Sequence, residues 1–304
     1  MTPRLFPRRV LLGSALGAVS TLAFDRATAE PAPSPPSAPV PPLPRAARKS
    51  AADLVTLGAT GITVSRLALG TGTHGFGHSS DQTRLGADGL VGVLRHGLDR
   101  GLNFWETADQ YGAHAHLKRG LGEVGRSKIV LLTKTHAKTA AEAEADLMRF
   151  LRELGTDHID IVLLHNMQSA SWVNERAGAM DYLERAKRKG LIRAHGVSCH
   201  TLEALKTAAA TDWVQVDLAR INPAGIAMDA PPDVVVPILR EMKAKGKGII
   251  GMKILGAGRL RDRADECLQF ALALDCVDVF TIGAESRGEL QDLVTKIPNA
   301  SVRA

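Results

Sequence analysis

The sequence predicts a closed (β/α)8 barrel, and three observations carry that prediction. Short apolar runs alternate with helix-type patterns eight times after residue 53. Eight such units in about 250 residues is the size expected of this fold. An open doubly wound sheet is the alternative fold, and the count of eight units favours closure. Three of the apolar runs end in an ionisable residue, which is typical of buried strands that emerge from a core.

The first 29 residues have the composition of an export signal. Arg8 and Arg9 precede an uncharged stretch that runs to Phe24, and Ala27-Thr28-Ala29 offers a small-residue cleavage site. Paired arginines in this position resemble a twin-arginine signal, which carries folded proteins out of the bacterial cytoplasm. A membrane anchor is the alternative, but the uncharged stretch of about 15 residues is shorter than the ~20 that a spanning helix needs. We therefore expect a periplasmic or otherwise exported protein, with the export machinery as a partner and no stable membrane span after cleavage.

Residues 30–52 are predicted to be a linker. Eight of the 15 prolines fall between Pro31 and Pro44, where the missing N–H groups and fixed φ angles oppose a packed structure. Such a segment is extended, and it serves either as a spacer or as a ligand for a proline-recognising partner. The barrel is expected to occupy residues 53–304.

Charge and cysteine content exclude several classes of function. The formal net charge is +6, of which the first 29 residues contribute +3. The remaining excess is small, so a nucleic-acid partner is not indicated. Cys199, Cys267 and Cys276 are odd in number and have no C-x-x-C spacing, so neither a disulfide framework nor a zinc site is indicated.

The predicted barrel begins after a small hairpin, with glycines at Gly58 and Gly61 where a turn requires them. A Thr139/Glu142 pair forms a capping-box pattern before the third helix. The predicted strands span residues 66–71, 103–106, 129–134, 159–165, 194–198, 213–216, 248–253 and 277–282. The predicted helices span residues 87–100, 116–124, 139–154, 178–190, 202–210, 233–245, 262–274 and 287–296.

Glu106, Lys134 and His165 end the second, third and fourth predicted strands. The carboxyl ends of parallel strands meet at one mouth of a barrel, so these side chains are expected to be neighbours. Tyr111 follows Glu106 by five residues and would lie at the same mouth. Singly, each could be a solvated loop residue or a satisfied core group. Together, an acid, an amine, an imidazole and a phenol outline a proton-transfer site.

The stretches around these residues resemble the aldo-keto reductases. The resemblance runs from Asp53 to about Val294 and is carried by residues 103–112, 131–134, 159–165, 196–198 and 281–286. It implies a (β/α)8 barrel that transfers a hydride between a nicotinamide cofactor, usually NADPH, and an aldehyde or ketone, without a metal. It also implies that Tyr111 is the general acid, that Lys134 and His165 stand beside it, and that Glu106 replaces the family's aspartate.

The roles implied by the resemblance match the chemistry of carbonyl reduction. A carbonyl oxygen that receives a hydride gains negative charge, and a phenol with a pKa near 10 donates its proton poorly until its anion is stabilised. A nearby ammonium lowers that pKa, a carboxylate holds the ammonium, and an imidazole orients the carbonyl oxygen. Glu106 is one methylene longer than aspartate, so it must fold back or push the amine forward.

The resemblance also implies a set of cofactor contacts. Met252 stands where many family members place an aromatic ring, Cys199 stands where an asparagine is usual, and Glu285 stands where an arginine often meets the 2′-phosphate. NADPH is preferred, with NADH possible. The expected cofactor-binding residues are Gly70, Thr71, Ser198, Gln215, Met252, Lys253, Gly283, Ser286 and Arg287.

Three functions therefore stay open from the sequence, the third being an unrelated barrel isomerase or lyase. The first is an exported oxidoreductase acting on a small carbonyl substrate. The second is a catalytically weak or inactive barrel that binds a nucleotide, metabolite or protein partner outside the cytoplasm. The departures at Glu106, Met252 and Cys199 motivate the second.

Overall fold

A computed structural model describes residues 48–302. The predicted signal, residues 1–29, and the predicted linker as far as residue 47 lie outside the described residues. Ordered structure begins before the predicted boundary at residue 53, because Ala51 is buried and its carbonyl accepts a hydrogen bond from the Leu67 nitrogen at 3.0 Å. The Lys49 backbone nitrogen also donates to Ser301 Oγ at 3.1 Å. These contacts tie the end of the predicted linker to the barrel.

A two-stranded antiparallel hairpin, β1 (Leu54–Thr56) and β2 (Thr63–Ser65), precedes the barrel as predicted. Its turn packs against residues 246–248, where the Ala59 nitrogen donates to the Gly246 carbonyl at 2.7 Å. Gly58 has φ +47°, and a Cβ there would lie 2.3 Å from the Gly246 carbonyl oxygen. Only glycine fits this close approach, which seats the hairpin on the N-terminal end of the neighbouring barrel strand.

Eight parallel strands then close into a barrel in sequence order, with the last strand pairing with the first. The predicted (β/α)8 fold is confirmed. The strands are β3 (Leu67–Gly70), β4 (Phe104–Glu106), β5 (Val130–Thr135), β6 (Ile159–Met167), β7 (Ile192–Cys199), β8 (Val216–Arg220), β9 (Gly248–Met252) and β10 (Val279–Ile282).

Helices surround the barrel and follow its strands. The helix after β5 begins with the predicted capping box: Thr139 Oγ1 accepts from the Glu142 nitrogen, and the Glu142 side chain accepts from Thr139. No helix among residues 48–302 is long and apolar enough to cross a membrane. The helices are α1 (Gly86–Leu98), α2 (His114–Val124), α3 (Ala140–Leu154), α4 (Trp172–Glu175), α5 (Ala177–Arg188), α6 (Leu202–Ala210), α7 (Pro232–Ala244), α8 (Ala264–Ala273) and α9 (Arg287–Ser301).

Two layers of core follow from the alternation of side chains along the strands. An inner cluster fills the barrel and includes Leu132, Ile161 and Leu163, together with residues of the hairpin. A larger outer cluster lies between the barrel and the helices. The inner cluster and the hairpin close one end of the barrel, so the carboxyl ends of the strands form its polar mouth.

The predicted sixth barrel strand, residues 213–216, was wrong in position, because β8 spans Val216–Arg220. Val216 and Leu218 belong to the inner cluster, so Asp217 between them points toward the helix layer. This buried strand is hard to recognise in the sequence because two of its five residues are an aspartate and an arginine. The error moves the expected mouth end of this strand from Val216 to Arg220.

Candidate active site

Glu106, Lys134, His165 and Tyr111 meet at the barrel mouth. Glu106 is the last residue of β4, Lys134 lies near the end of β5, and His165 lies near the end of β6. Tyr111 ends a single 3-10 turn, Asp109–Tyr111, which directly follows β4. The sequence prediction that these four side chains are neighbours therefore agrees with the geometry.

Glu106 and Lys134 form a buried ion pair. Lys134 Nζ donates to Glu106 Oε1 and also to the Thr107 carbonyl, the latter at 2.8 Å. The Lys134 side chain is 1% exposed and that of Glu106 is 6% exposed. Burial lowers the pKa of Lys134, while the Glu106 carboxylate opposes that shift. The carboxylate therefore holds a cation in a place where an unpaired ammonium would be costly.

The longer arm of Glu106 is accommodated by two neighbours. Its second carboxylate oxygen, Oε2, accepts a hydrogen bond from Thr281 Oγ1 of β10 at 3.1 Å. A Cβ at Gly70 would lie 3.2 Å from Glu106 Oε2 and 2.7 Å from Thr281 Oγ1. Gly70 thus leaves the space into which the extra methylene carries the carboxylate, and Thr281 fixes it there.

The Tyr111 ring is enclosed at the mouth. Lys134 Nζ lies 4.8 Å from its centroid, and the His165 ring meets it edge-on at a centroid distance of 5.7 Å. On another side, Cβ atoms at Gly72 and Gly75 would lie 2.1 and 2.3 Å from ring carbons. Burial, together with the Glu106 charge, raises the pKa of Tyr111 well above its usual value. The expected lowering of this pKa by the Lys134 ammonium is therefore wrong, and the phenol keeps its proton at neutral pH, as an ordinary tyrosine also does.

His165 is a neutral imidazole in a group of three. Burial and the Lys134 charge hold its pKa well below its usual value. His136 stacks on its ring at a centroid distance of 4.7 Å, and His200 meets it edge-on at 6.5 Å. The sequence analysis did not single out His136 and His200. A signal was present, since His136 follows Lys134 by two residues and His200 follows Ser198 by two.

A cleft leads from Glu106 and Tyr111 across the ends of β8, β9 and β10. Lys253, at its floor, has φ +59°, an uncommon conformation for a residue with a side chain. Its ammonium has no hydrogen-bond or ion-pair partner among residues 48–302. Burial lowers the pKa of Lys253. A half-buried cation without a protein partner fits an anionic ligand in this cleft.

The expected cofactor residues divide into three groups. Gly70, Met252, Lys253 and Gly283 line the cleft. A Cβ at Gly283 would lie 2.5 Å from Thr73 Oγ1, so this position needs glycine. Thr71 and Ser198 are buried beside the mouth, where their hydroxyl groups form hydrogen bonds with the backbone of neighbouring segments. The Thr71 hydroxyl donates to the Glu106 carbonyl at 3.1 Å, and Ser198 Oγ accepts from the Asn166 nitrogen at 3.0 Å.

Three of the expected residues are not brought to the cleft. Gln215 precedes β8 at the opposite end of the barrel and lines a groove with Lys245 and Lys247, so its predicted role at the mouth was wrong. Ser286 caps α9, accepting from the Glu289 nitrogen at 3.1 Å. The Arg287 guanidinium packs on α1, where a Cβ at Gly92 would lie 2.8 Å from Nη2.

The loop after β9 supplies cleft residues that the sequence analysis missed. Leu255, Ala257, Gly258 and Arg261 all line the cleft. Gly256, Ala257 and Gly258 have φ values of 56°, 56° and 87°. The G-x-G spacing directly after a barrel strand was the available signal, since glycines permit such a turn close to a ligand. Arg261 reaches across to Glu285, its Nη2 donating at 2.7 Å.

These features define a (β/α)8 barrel whose mouth brings a carboxylate, an amine, an imidazole and a phenol beside a cleft, in which the Lys253 ammonium has no partner among residues 48–302. Comparison with known proteins then assigns the family, because the model of the aldo/keto reductase family matches residues 66–271. The chain belongs to the aldo/keto reductase family.

Similar proteins agree with the assignment. Aldo-keto reductase yakc [NADP(+)] of Schizosaccharomyces pombe is 27% identical over 194 residues, which cover 57% of this chain and 54% of that protein. Methylglyoxal reductase YeaE of Escherichia coli is 33% identical over 140 residues, which cover 44% of this chain and 46% of that protein. The chain thus matches about half the length of these relatives. A solved Pseudomonas aeruginosa structure described as belonging to the aldo-keto reductases has a TM-score of 0.69 at 26% identity, over 83% of this chain and 98% of that one.

Proposed function

We propose that this protein reduces an aldehyde or ketone with a nicotinamide cofactor, with Tyr111 as the general acid. One observation carries the proposal: the buried Glu106–Lys134 pair lies against the Tyr111 ring at one end of the Lys253 cleft. Membership of the aldo/keto reductase family supports it. A small carbonyl compound is the substrate class.

The cleft has the features that a nicotinamide cofactor requires. Lys253 offers a cation without a partner in the part of the chain that the structure describes, and Gly256 to Gly258 form a glycine-containing turn with a second cation, Arg261, beside it. Lys253, this turn and Arg261 would hold the phosphate groups, with Met252 and Gly283 along the walls. When bound, the cofactor supplies the hydride.

The roles of the four mouth residues follow from their surroundings. Tyr111 holds a proton, because burial raises its pKa, and gives it to the substrate oxygen as negative charge develops there. Lys134 lies close enough to stabilise the phenolate that remains. Glu106 keeps Lys134 in place and charged. His165, held neutral, offers an N–H to orient the carbonyl oxygen.

We propose NADPH as the preferred cofactor. Arg261 is the cleft cation that would meet a 2′-phosphate, and a relative is named for NADP(+). Glu285 opposes this preference, because it forms an ion pair with Arg261 at 2.7 Å. The Glu285→Gln variant should therefore bind NADPH more tightly and leave NADH binding unchanged. Glu266→Gln, which removes an exposed acid outside the cleft, is the matched control.

The proposal extends to export by a twin-arginine signal. The Arg8-Arg9 pair and the apolar stretch after it support this extension, and they lie outside the described residues. The double substitution of Arg8 and Arg9 by lysine should retain the protein in the cytoplasm of a bacterial host. Unchanged export of that variant would contradict the proposed signal.

A second candidate function is a barrel that binds the cofactor or a metabolite with little turnover. Cys199 favours it, because this residue is fully buried among the outer core residues and offers no amide at the mouth.

Titration of the purified protein with NADPH and NADH, followed by absorbance assays with a broad carbonyl panel, tests these candidates. Oxidation of bound NADPH supports the reductase. Binding without oxidation favours the second candidate, and failure to bind either cofactor would contradict the reductase.

A further inference from the structure

The Tyr111 turn is fastened from behind by a group of charged residues that neither the family assignment nor the proposed chemistry uses. Arg149, in the middle of α3, donates from Nη1 to Asp109 Oδ1 at 2.7 Å and from Nη2 to Asp109 Oδ2 at 2.8 Å. Asp109 is the first residue of the single 3-10 turn that Tyr111 ends. A bidentate arginine–carboxylate pair fixes orientation as well as distance. The position of the Tyr111 turn is therefore tied to α3.

Two more carboxylates hold the Arg149 guanidinium in one orientation. Nη2 also donates to Asp146 Oδ1 at 2.8 Å, and Nη1 to Glu153 Oε1 at 3.1 Å. Asp146 and Glu153 lie one helical turn before and after Arg149 on α3. The guanidinium carbon also lies 4.8 Å from the Phe150 ring centroid. An arginine with this many partners is a rigid brace rather than a mobile surface charge.

The same group reaches the strand that carries Lys134. Asp146 Oδ2 accepts from the Thr135 hydroxyl. Glu153 Oε2 is 2.7 Å from His114 Nδ1, and His114 Nε2 is 2.9 Å from Thr133 Oγ1. Thr133 and Thr135 flank Lys134 on β5. Arg149 thus joins the Tyr111 turn to β5, the strand that carries Lys134.

One feature of this group suggests a different occupant. Ligand atoms of Asp109, His114 and Glu153 lie within 4.8 Å of one another, a grouping that could hold a metal ion. Arg149, however, already engages both Asp109 oxygens and one oxygen of Glu153. Burial alone would raise the pKa of Asp109, but the hydrogen bonds and charge of Arg149, together with nearby histidines, lower it. The cation that these carboxylates hold is the guanidinium.

We propose that Arg149 is a positioning residue, which sets Tyr111 against Lys134 and His165 through its bidentate contact with Asp109. The inference rests on the proposed function of Tyr111 as general acid. A displacement of about 1 Å at a reacting group can cost on the order of 10²-fold in rate. Loss of Arg149 is therefore expected to reduce kcat rather than cofactor binding, because neither Arg149 nor the carboxylates that hold it line the Lys253 cleft.

The kinetic test compares Arg149→Met with Arg152→Met, which removes an exposed arginine three residues further along α3. We expect Arg149→Met to lower kcat on the order of 10²-fold with KM for NADPH changed by no more than about twofold. Arg149→Lys, which keeps the positive charge but cannot form the bidentate contact, should recover part of the loss. In a Tyr111→Phe background, Arg149→Met should add almost nothing, because the group it positions is already missing.

A second measurement does not depend on activity. The chain has two tyrosines, Tyr111 and Tyr182, so in a Tyr182→Phe background the phenol titration reports Tyr111 alone. The pKa of Tyr111 should lie well above its usual value with Arg149 present and fall toward that value in Arg149→Met, as the loosened turn admits water.

Three results would overturn the proposal. They are equal kinetics of the Arg149 and Arg152 variants, a full additional loss in the Tyr111→Phe background, and stoichiometric Zn²⁺ binding that requires His114 and Asp109. Should the wild-type protein reduce no carbonyl at all, the proposed function fails, and the phenol titration still decides whether Arg149 positions Tyr111. If Arg149→Met fails to fold, Asp109→Asn provides the same test from the other side of the pair.

Discussion

Glu106 stands where the family resemblance leads us to expect an aspartate. Its neighbours accommodate the longer side chain. An aspartate would need only to reach Lys134, whereas Glu106 reaches Lys134 with one oxygen and Thr281 with the other. Gly70 leaves the required space. The sequence predicted the pair and raised the question of its longer arm. It could not predict the answer, because Gly70 and Thr281 lie on strands distant in sequence and are recognisable as partners only once the barrel closes.

The Glu106→Gln variant should reduce carbonyl reduction on the order of 10²-fold or more, because Lys134 loses the charge that keeps it protonated and in place. Melting should also occur at a lower temperature, since the buried ammonium is left unpaired. Steady-state kinetics and thermal denaturation check both effects. Glu144→Gln, an exposed acid on α3, is the control and should behave as wild type. A Glu106→Gln enzyme with normal kcat would show that the ion pair has no catalytic role.

The pH dependence of kcat/KM for reduction should show no titration of His165. Its pKa is held well below the usual value, so the imidazole is already neutral in the range where an ordinary histidine titrates. As the pH falls from about 8 to 6, kcat/KM for reduction should therefore stay level as far as His165 is concerned. A limb near the ordinary histidine pKa that disappears in His165→Asn would contradict this account.

The loop after β3 determines how Tyr111 is enclosed. Its backbone is fastened to the Tyr111 turn, where the His78 nitrogen donates to the Gln110 carbonyl at 2.8 Å. Gly72 and Gly75 lie against the faces of the ring, and any side chain there would occupy the space of the phenol. In the sequence this loop stands out only by its glycines and histidines. Its contact with the Tyr111 ring is visible only in the structure.

The Gly72→Ala variant should lower kcat on the order of 10²-fold, because its Cβ would lie 2.1 Å from a Tyr111 ring carbon and either the ring or the loop must move. Gly122→Ala is the matched control, since nothing lies within 4 Å of a Cβ at that position of α2. Rates measured at saturating NADPH separate the effect from cofactor binding. Equal kcat in the two variants would show that the loop tolerates displacement.

Regular elements were predictable where local chemistry determines them, and less so where burial overrides it. The Thr139/Glu142 capping box and the αL glycine at Gly155 mark both ends of α3 in the sequence and in the structure. Strand β8 was displaced because Asp217 and Arg220 resemble a loop, although Asp217 is fully buried. That displacement led directly to the wrong placement of Gln215. Tertiary burial of a charged residue has no local signature in the chain.

The barrel as a whole carries one buried carboxyl group that links its stability to pH. The side chain of Asp217 is fully buried, and the Cys199 thiol is a neighbour that favours its ionised form. Burial, with the nearby Asp229, raises the pKa of Asp217 to about 8. Between the unfolded value near 4 and this folded value, the native protein holds a proton that the unfolded chain releases. Folding stability from this group therefore falls as the pH rises through that window.

The Asp217→Asn variant should relieve this loss. Its free energy of unfolding relative to wild type should be greater at pH 8 than at pH 5, with the difference growing by about 1.4 kcal/mol per pH unit at most. Denaturant unfolding at the two pH values measures it. Asp212→Asn, an exposed aspartate before β8, should show no such dependence. A difference between Asp217→Asn and wild type that is independent of pH would indicate that Asp217 is ionised in the folded protein.

The most direct test of the central claim is carbonyl reduction by Tyr111→Phe compared with Tyr182→Phe, the variant of the other tyrosine in the chain. Both proteins are first titrated with NADPH to show that the cofactor still binds, and cofactor oxidation is then followed with a carbonyl that the wild type reduces. We expect Tyr111→Phe to bind NADPH normally and to lose reduction, while Tyr182→Phe retains wild-type activity. Reduction by Tyr111→Phe at the wild-type rate would contradict the assignment of Tyr111 as the general acid.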